Sequence, residues 1–502
     1  MEQPKPKFEF RNRSQVYLGP VDLEALIEAG HPARAIWALL ESLDFSAFEE
    51  QILSREGQAG RAAVPPRLLA ALWIYGYSLG VGSARALERM QAHEPGLRWL
   101  CADQAVNHHT LSDFRVRHEQ ALDTLFTQVL ATMEHGGLLD LTTVVQDGTK
   151  VQAASSSASY HRRRTLGDSL KQARRVVQQL KAQAEADPAD ERRAAAQQQA
   201  ARECLERMRA SLRELRQRQR DTEPAQRAEL RVSDSEPEAR KMKMAAGHFA
   251  SAYNLQLSAE THSNAIVAVE ITQAPADMGQ LPGAVEQVER RLGRRPGRWL
   301  ADGGYASRDN VEYTAGQKIE LYAPWKEDAE RHKGALLRNG IAEEFGPQAF
   351  VHEEEADVLI CPAGERLARQ GTRRKHGLLK VAYEAPAAVC GGCAERDRCC
   401  GKAAQERGRR VDRLLESAAM QAYYERMASE EGRQTYKKRS QYGEFPQMRM
   451  KGVWGLRRFH VRGLKKAKQE GMWWALAYNV SRWIRLGWAN WKTTRTPAPA
   501  TC

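Results

Sequence analysis

The sequence predicts an α/β protein, a mixed sheet flanked by helices, with an all-helical region in front of it and two insertions within it. Three observations carry that expectation. Two β-like runs, Leu141 to Val145 and Trp299 to Ala301, each lead into an aspartate, Asp147 and Asp302. Between them lie two segments of alternating apolar and polar residues, Tyr253 to Leu257 and Ala265 to Ile271, followed by the helix-spaced run Leu281 to Leu292. That order of strands and helix is the pattern of an α/β sheet carrying functional groups at strand ends.

The elements follow in chain order. Residues 1–137 read as helical: after the start signal Pro65-Pro66, the positions Leu68, Leu69, Leu72, Trp73 and Tyr75 to Tyr77 are dense at helical spacing. Thr110 and Ser112 offer caps for a helix that would carry Arg115, Arg117 and His118 on one side. Such a region fits a helix-turn-helix DNA-binding unit and a plain helical bundle equally well. In residues 161–245, Leu170, Ala173, Val177 and Leu180 recur at alternating three and four spacing, as do Leu205, Met208, Leu212 and Leu215. With Asp187-Pro188 as N-cap and first-turn proline, they predict an antiparallel helical hairpin, either a solvated coiled coil or a dimerisation element.

Residues 320–421 break the pattern into a charged, cysteine-bearing insertion in which the sheet is not expected to continue. Helix returns over 422–490, where Met472, Trp473, Leu476, Ala477, Val480, Trp483 and Ile484 form one apolar face that should lie on the sheet. Trp474 and Trp488 read as core with Trp473 and Trp483, by the same spacing. Residues 491–502 are expected to be a disordered tail.

The chain has 76 basic and 63 acidic side chains, a formal charge of +13 and a pI near 9.4. This balance favours a polyanionic partner, nucleic acid first, although basic charge also serves solubility. Met1 to Gln15 is polar and no apolar run reaches membrane-spanning length, so no membrane partner and a cytoplasmic, nucleoid-associated location are expected. Of the eight cysteines, Cys361, Cys390, Cys393, Cys399 and Cys400 fall in one stretch, a local metal or thiol site rather than a disulfide framework. Cys361, Cys390, Cys393 and Cys399 are the candidate ligands of one structural Zn2+; reduced thiols in a small domain are the alternative. His108 and His109 are adjacent and point apart on a helix, and Gly303-Gly304 lacks the spacing and lysine of a nucleotide loop.

Two aspartates at strand ends and a later glutamate can together hold two hard divalent ions, the arrangement that activates an attacking oxygen and stabilises a leaving one at phosphorus. The local context gives such a trio weight. Asp147-Gly148-Thr149-Lys150 and Ala301-Asp302-Gly303-Gly304-Tyr305 resemble the first and second aspartate motifs of the DDE transposases of bacterial insertion sequences. Tyr436, Arg439, Glu444 and Lys451 resemble their Tyr, Arg, Glu, Lys signature. Six residues separate Glu444 from Lys451, as in that signature, but four rather than three separate Arg439 from Glu444. Pro446 strains a helix through Glu444, and Gln447 and Met448 replace a frequent Phe-Gly. Tyr75-Gly76-Tyr77-Ser78 with Arg85 and Glu88, Tyr253-Asn254 with Gln256, Arg462-Gly463-Leu464, Ala477-Tyr478-Asn479 and Arg482 extend the likeness in the expected order.

The resemblance implies a ribonuclease H-like catalytic domain assembled from residues 138–160, 246–319 and 422–490. Asp147 would bridge two Mg2+ (or Mn2+) ions, with Asp302 and Glu444 each completing one. Tyr436, Arg439 and Lys451 would hold phosphates, and Lys150 would either meet DNA or be solvated. The implied activity is metal-dependent DNA cleavage and strand transfer at the terminal inverted repeats of an insertion sequence. Its partners would be double-stranded repeat and target DNA and a second copy of the chain in a synaptic homodimer. The alternatives are an inactive, transposase-derived DNA-binding protein or repressor, and a ribonuclease acting on RNA:DNA hybrids.

Overall fold

In the computed structural model the described residues are 22–52, 62–186, 191–325, 334, 336–375, 378–401 and 407–494. The helical region comprises α1 (Pro32–Glu41), α2 (Ser46–Glu49), α3 (Pro66–Ser78), α4 (Ala84–Met90), α5 (Pro95–Cys101), α6 (His108–Arg117) and α7 (Glu119–His135). Its helix starts follow from capping chemistry: Ser83, Glu94 and Asn107 accept from backbone amides of α4, α5 and α6, and proline opens α1, α3 and α5. The cap of α6 is therefore Asn107, not the expected Thr110 or Ser112, which lie inside the helix. Arg115 is also corrected. Its side chain is buried, donates to the Gly82 carbonyl at 2.5 Å and stands 3.9 Å from Glu470, so it does not share a DNA-facing side with Arg117.

The central sheet follows. Its strands are β1 (Thr143–Gln152), β4 (Arg240–Lys243), β5 (Phe249–Glu260), β6 (Ile266–Thr272), β7 (Arg298–Leu300) and β8 (Glu320–Tyr322), with β2 (Tyr160–His161) and β3 (Val232–Ser233) forming a separate pair. The spatial order runs β6-β5-β1-β7-β8, antiparallel from β6 to β1 and parallel from β1 to β8. It is the ribonuclease H-like arrangement. Helix α10 (Leu281–Leu292) falls where the apolar spacing placed it and buries Leu281, Ala284, Val285 and Val288. Helix α11 (Arg308–Gly316) joins β7 to β8.

Both insertions leave this sheet at defined points. Between β2 and β3 stand α8 (Arg163–Ala186) and α9 (Glu191–Arg220), joined along Leu170, Ala173 and Val177 against Leu205 and Met208. Asp187-Pro188, the expected start signal of the second helix, lies outside the described residues. The second insertion differs from expectation, because β8 prolongs the sheet into residues 320–322 and a separate antiparallel sheet follows. That sheet contains β9 (Val351–Glu353), β10 (Val358–Ile360), β11 (Arg366–Lys375), β12 (Leu378–Glu384) and β13 (Arg410–Leu414), in the order β13-β12-β11-β10-β9. Two short helices, α12 (Ala387–Gly391) and α13 (Arg396–Cys399), carry Cys390 and Cys399, with Cys393 between them and Cys400 just after.

The chain returns through α14 (Ala418–Ala428), α15 (Glu430–Lys437) and α16 (Arg439–Gln447), a π-helical turn at Met448–Val453, and α17 (Leu464–Thr494). The wider turn begins two residues after Pro446, which lies inside α16 although it has no N–H to give and its ring crowds the preceding turn. Trp473, Trp474 and Trp483 are buried on α17, as the spacing indicated. That helix reaches Thr494, so residues 491–494 are helical where a tail was expected; residues 495–502 lie outside the described residues. Asn479 of α17 pairs with both backbone groups of Ile266, closing the edge of β6 with bonds of 2.8 Å. Among the described residues, no helix is long and apolar enough to cross a membrane.

Candidate active site

Strand alternation puts Val145, Asp147 and Thr149 on one face of β1 and Gln146, Gly148 and Lys150 on the other. The first face receives α16. Gly443 lies so close to β1 that a Cβ there would stand 2.9 Å from Val145 Cγ1 and 3.9 Å from Asp147 Cβ. Only glycine lets the helix approach this near.

Asp147 is 14% exposed at its side chain, and its Oδ1 accepts the Gly148 amide at 2.9 Å and faces Arg439 Nη2 at 3.3 Å. Asp302 follows β7, the parallel neighbour of β1, and is held by the Gly304 amide at 2.7 Å. The two carboxylates act on each other. Burial pushes the Asp147 pKa up to about 6; the negative charges of Asp302 and Asp277 raise it, while Arg439 and the Gly148 amide pull it down. Tyr436 belongs to the same group: it packs beside Val145, Leu300 and Tyr322, and its phenol feels Arg439, Asp302 and Asp147. Burial raises that phenol's pKa.

The other face of β1 carries a polar network that the sequence reading missed at its centre, Asp277. Its Oδ1 accepts from Asn254 Nδ2 at 2.6 Å and Gln256 Nε2 at 2.7 Å, and pairs with Lys150 Nζ at 3.5 Å. Gln256 in turn accepts from the Tyr305 hydroxyl and, at 3.2 Å, from Gln146 Nε2. Gly148 leaves room for this network, because a Cβ there would meet Gln256 Nε2 at 2.4 Å and Asp277 Oδ1 at 2.5 Å and displace both side-chain ends. The network fixes the strand that carries Asp147 and, through Tyr305, the turn that carries Asp302. The available signal for Asp277 was weak: an aspartate in the loop after β6, with partners far away in the chain.

Asp147, Asp302, Tyr436 and Arg439 are thus gathered at one end of the sheet. Lys451 lies on the same side of β1, donating to Thr149 Oγ1 at 2.7 Å and to the Lys150 carbonyl at 3.1 Å; burial lowers its pKa. Lys150 faces the opposite side, toward Asp277. Glu444 is the outlier. It is one residue from the Gly443 contact, yet its side chain is exposed and makes no hydrogen bond or ion pair among the described residues.

The donor set suits a hard divalent cation. Two carboxylates, one within β1 and one just after the adjacent β7, lie near enough for the charge of Asp302 to act on Asp147, which is buried and hard to ionise without a neighbouring positive charge; Arg439 partly supplies that charge. Arg439 Nε is itself buried without an acceptor, so the pairing with Asp147 is incomplete. The cysteines of the second insertion lie apart from this cluster, around a cavity of about 30 Å³ lined by Cys361, Cys390, Cys393, Cys399 and Cys400.

Two families match the chain. Residues 21–117 match a transposase domain family, and residues 360–484 match a transposase DDE domain family. The first match spans α1 to α6. The second includes the cysteines, Glu444 and Lys451 but reaches neither Asp147 nor Asp302. No curated protein matches the chain.

Proposed function

With the chain identified by both matches as an insertion-sequence DDE transposase, we propose that it cuts DNA at the terminal inverted repeats of its own element and joins the freed ends to target DNA. The observation that carries this reading is the Asp147–Asp302 pair, set on adjacent parallel strands beside Arg439 and Tyr436. Asp147, Asp302 and Glu444 are the residues that would hold two Mg2+ or Mn2+ ions. Those ions would supply Lewis acidity at the attacking and leaving oxygens.

The chain's own groups have separable tasks in this reading. Asp147 must be ionised to act, and Arg439 keeps it partly compensated in the metal-free protein. With the carboxylate's charge met by a bound cation, the Arg439 guanidinium would be free to grip a phosphate. Tyr436, packed beside both aspartates, orients Arg439 and reaches the same phosphate. Lys451 ties the π-helical turn after α16 to Thr149 and Lys150, so it positions β1 as well as adding positive charge. Glu444, held one residue beyond the tight Gly443 contact, turns toward Asp147 when DNA and cations are bound.

The helical region at 1–137 and the basic α8–α9 hairpin would hold the repeat DNA, and two copies would pair the two ends of the element. A cleavage assay on labelled terminal-repeat DNA tests the proposal. Wild type should nick it only with Mg2+ or Mn2+, and Asp147→Ala and Asp302→Ala should each lower the rate about a hundredfold or more. Specific binding with no metal-dependent nicking would leave a DNA-binding protein or repressor instead.

A further inference from the structure

The second insertion is a small fold with little to hold it together. Its core consists of Phe345, Phe350, Leu359, Leu367, Val381, Tyr383, Ala385, Cys399 and Val411, and α12 and α13 are each a single short turn. A unit of this size with so small a core generally needs a disulfide or a metal as a staple. None of its cysteines is paired in a disulfide.

Three separate pieces of chain bring sulfur to one place. Cys361 opens a tight turn after β10, in which its own amide bonds the Glu365 carbonyl at 2.9 Å and the Gly364 amide bonds its carbonyl at 2.8 Å. The Glu365 amide then points at Cys361 Sγ, 3.3 Å away. Cys390 and Cys393 flank Gly391-Gly392 at the end of α12, and Cys390 Sγ receives the Arg409 amide at 3.3 Å. Backbone amides aimed at sulfur stabilise a thiolate far more than a neutral thiol, and that is how metal-binding turns hold their ligands.

Arg409 supplies an independent pointer. Its side chain lines the same cavity, and its Nη2 donates to the Phe345 carbonyl at 2.9 Å, but its buried Nε has no acceptor. A buried guanidinium beside neutral thiols is uncompensated; a tetrathiolate around a divalent ion carries net negative charge and would balance it.

We propose that Cys361, Cys390, Cys393 and Cys399 bind one structural Zn2+ that staples the second insertion, with Cys400 outside the ligand set. The fourth ligand follows from position. Cys399 belongs to the insertion's small core, against which Cys361 and Cys390 pack, whereas Cys400, equally buried, lies outside that core and directs its S–H toward Cys390. That is the place of a thiol supporting the shell from outside. Among the described residues no three such side chains already stand as a finished metal shell. Occupation therefore requires the sulfurs to close in by side-chain rotation, which the cavity between them permits.

The site is independent of the carboxylates and can be tested without any DNA. Full-length protein, purified without chelator and exhaustively dialysed, should contain about one zinc per chain by elemental analysis. Cys393→Ser and Cys399→Ser should each lose most of it, and Cys400→Ser should keep it. Because the ligand variants can misfold, a second measurement uses wild type alone. Replacing the bound metal with Co2+ should produce the visible and near-ultraviolet bands of tetrahedral cobalt bound by thiolates. Zinc-free wild type that takes up no Co2+ with four reduced thiols, bound iron in place of zinc, or a Cys400→Ser variant as metal-poor as Cys399→Ser would each overturn the assignment.

Discussion

Burying a carboxylate favours its protonated form, and Asp147 shows the consequence. Its folded pKa of about 6 lies above the ordinary value of 3.8, so the folded, metal-free protein binds a proton that the unfolded chain releases. The stability this provides is complete below about pH 4 and is lost as pH rises through about 6. At neutral pH the ionised side chain then costs on the order of 3 kcal/mol. Asp147→Asn should therefore melt higher than wild type at pH 7 without metal and nearly the same at pH 4, by paired thermal denaturation. Adding Mn2+ should stabilise wild type and leave the variant unmoved. Asp147 and Asp302 were legible in the sequence because each follows an apolar run and precedes a distinctive glycine; Asp302 does lie just beyond its strand, whereas Asp147 lies inside β1, which continues to Gln152. Asp277 was not, since its importance comes from Lys150, Asn254 and Gln256, which converge on it only through strand pairing.

Helix α16 owes its place to an absence of side chain. Gly443→Val would set methyl groups where Val145 and Asp147 already stand, lifting the helix and carrying Glu444 and Arg439 out of line. Metal-dependent cleavage should fall about a hundredfold or more, while circular dichroism keeps its helical content; unchanged activity would refute the close-contact argument. The α8–α9 hairpin behaves differently, because β2 and β3 close its base through Tyr160 with Ser233 and His161 with Val232. Joining those strands by a short turn should leave a folded protein with weaker DNA binding and a shallower salt dependence, measurable by titration at several salt concentrations. The hairpin was legible from its three and four spacing. The second sheet was not: β11 (Arg366–Lys375) shows no apolar alternation, and β9 and β10 are three residues long. The passage of α16 through Pro446 was likewise hidden, because an internal proline ordinarily argues against a helix.

At the scale of the molecule, the helical region and the catalytic sheet share one core, a continuous set of buried side chains from Ile27 to Trp483. Helix α17 is the common partner. Trp473 Nε1 donates to the Arg115 carbonyl at 3.2 Å, Tyr77 packs at a tilt against Trp474 with ring centroids 4.5 Å apart, and buried Glu470 accepts the His460 amide at 2.9 Å while facing Arg115. Glu470→Ala would leave Arg115 buried without a counter-charge, a loss of about 3 to 5 kcal/mol, and should lower the melting temperature of both regions together. Separate transitions in calorimetry would contradict the shared core. Sequence spacing placed α17 on the sheet but gave no sign that its other side belongs to the helical region. The central claim, that Asp147, Asp302 and Glu444 form one cation site, is tested most directly by counting Mn2+ bound to the protein–DNA complex. The account predicts two ions per active site in wild type, fewer in Glu444→Gln, and none held tightly in Asp147→Asn; a Glu444→Gln complex that binds both ions as wild type does would contradict it.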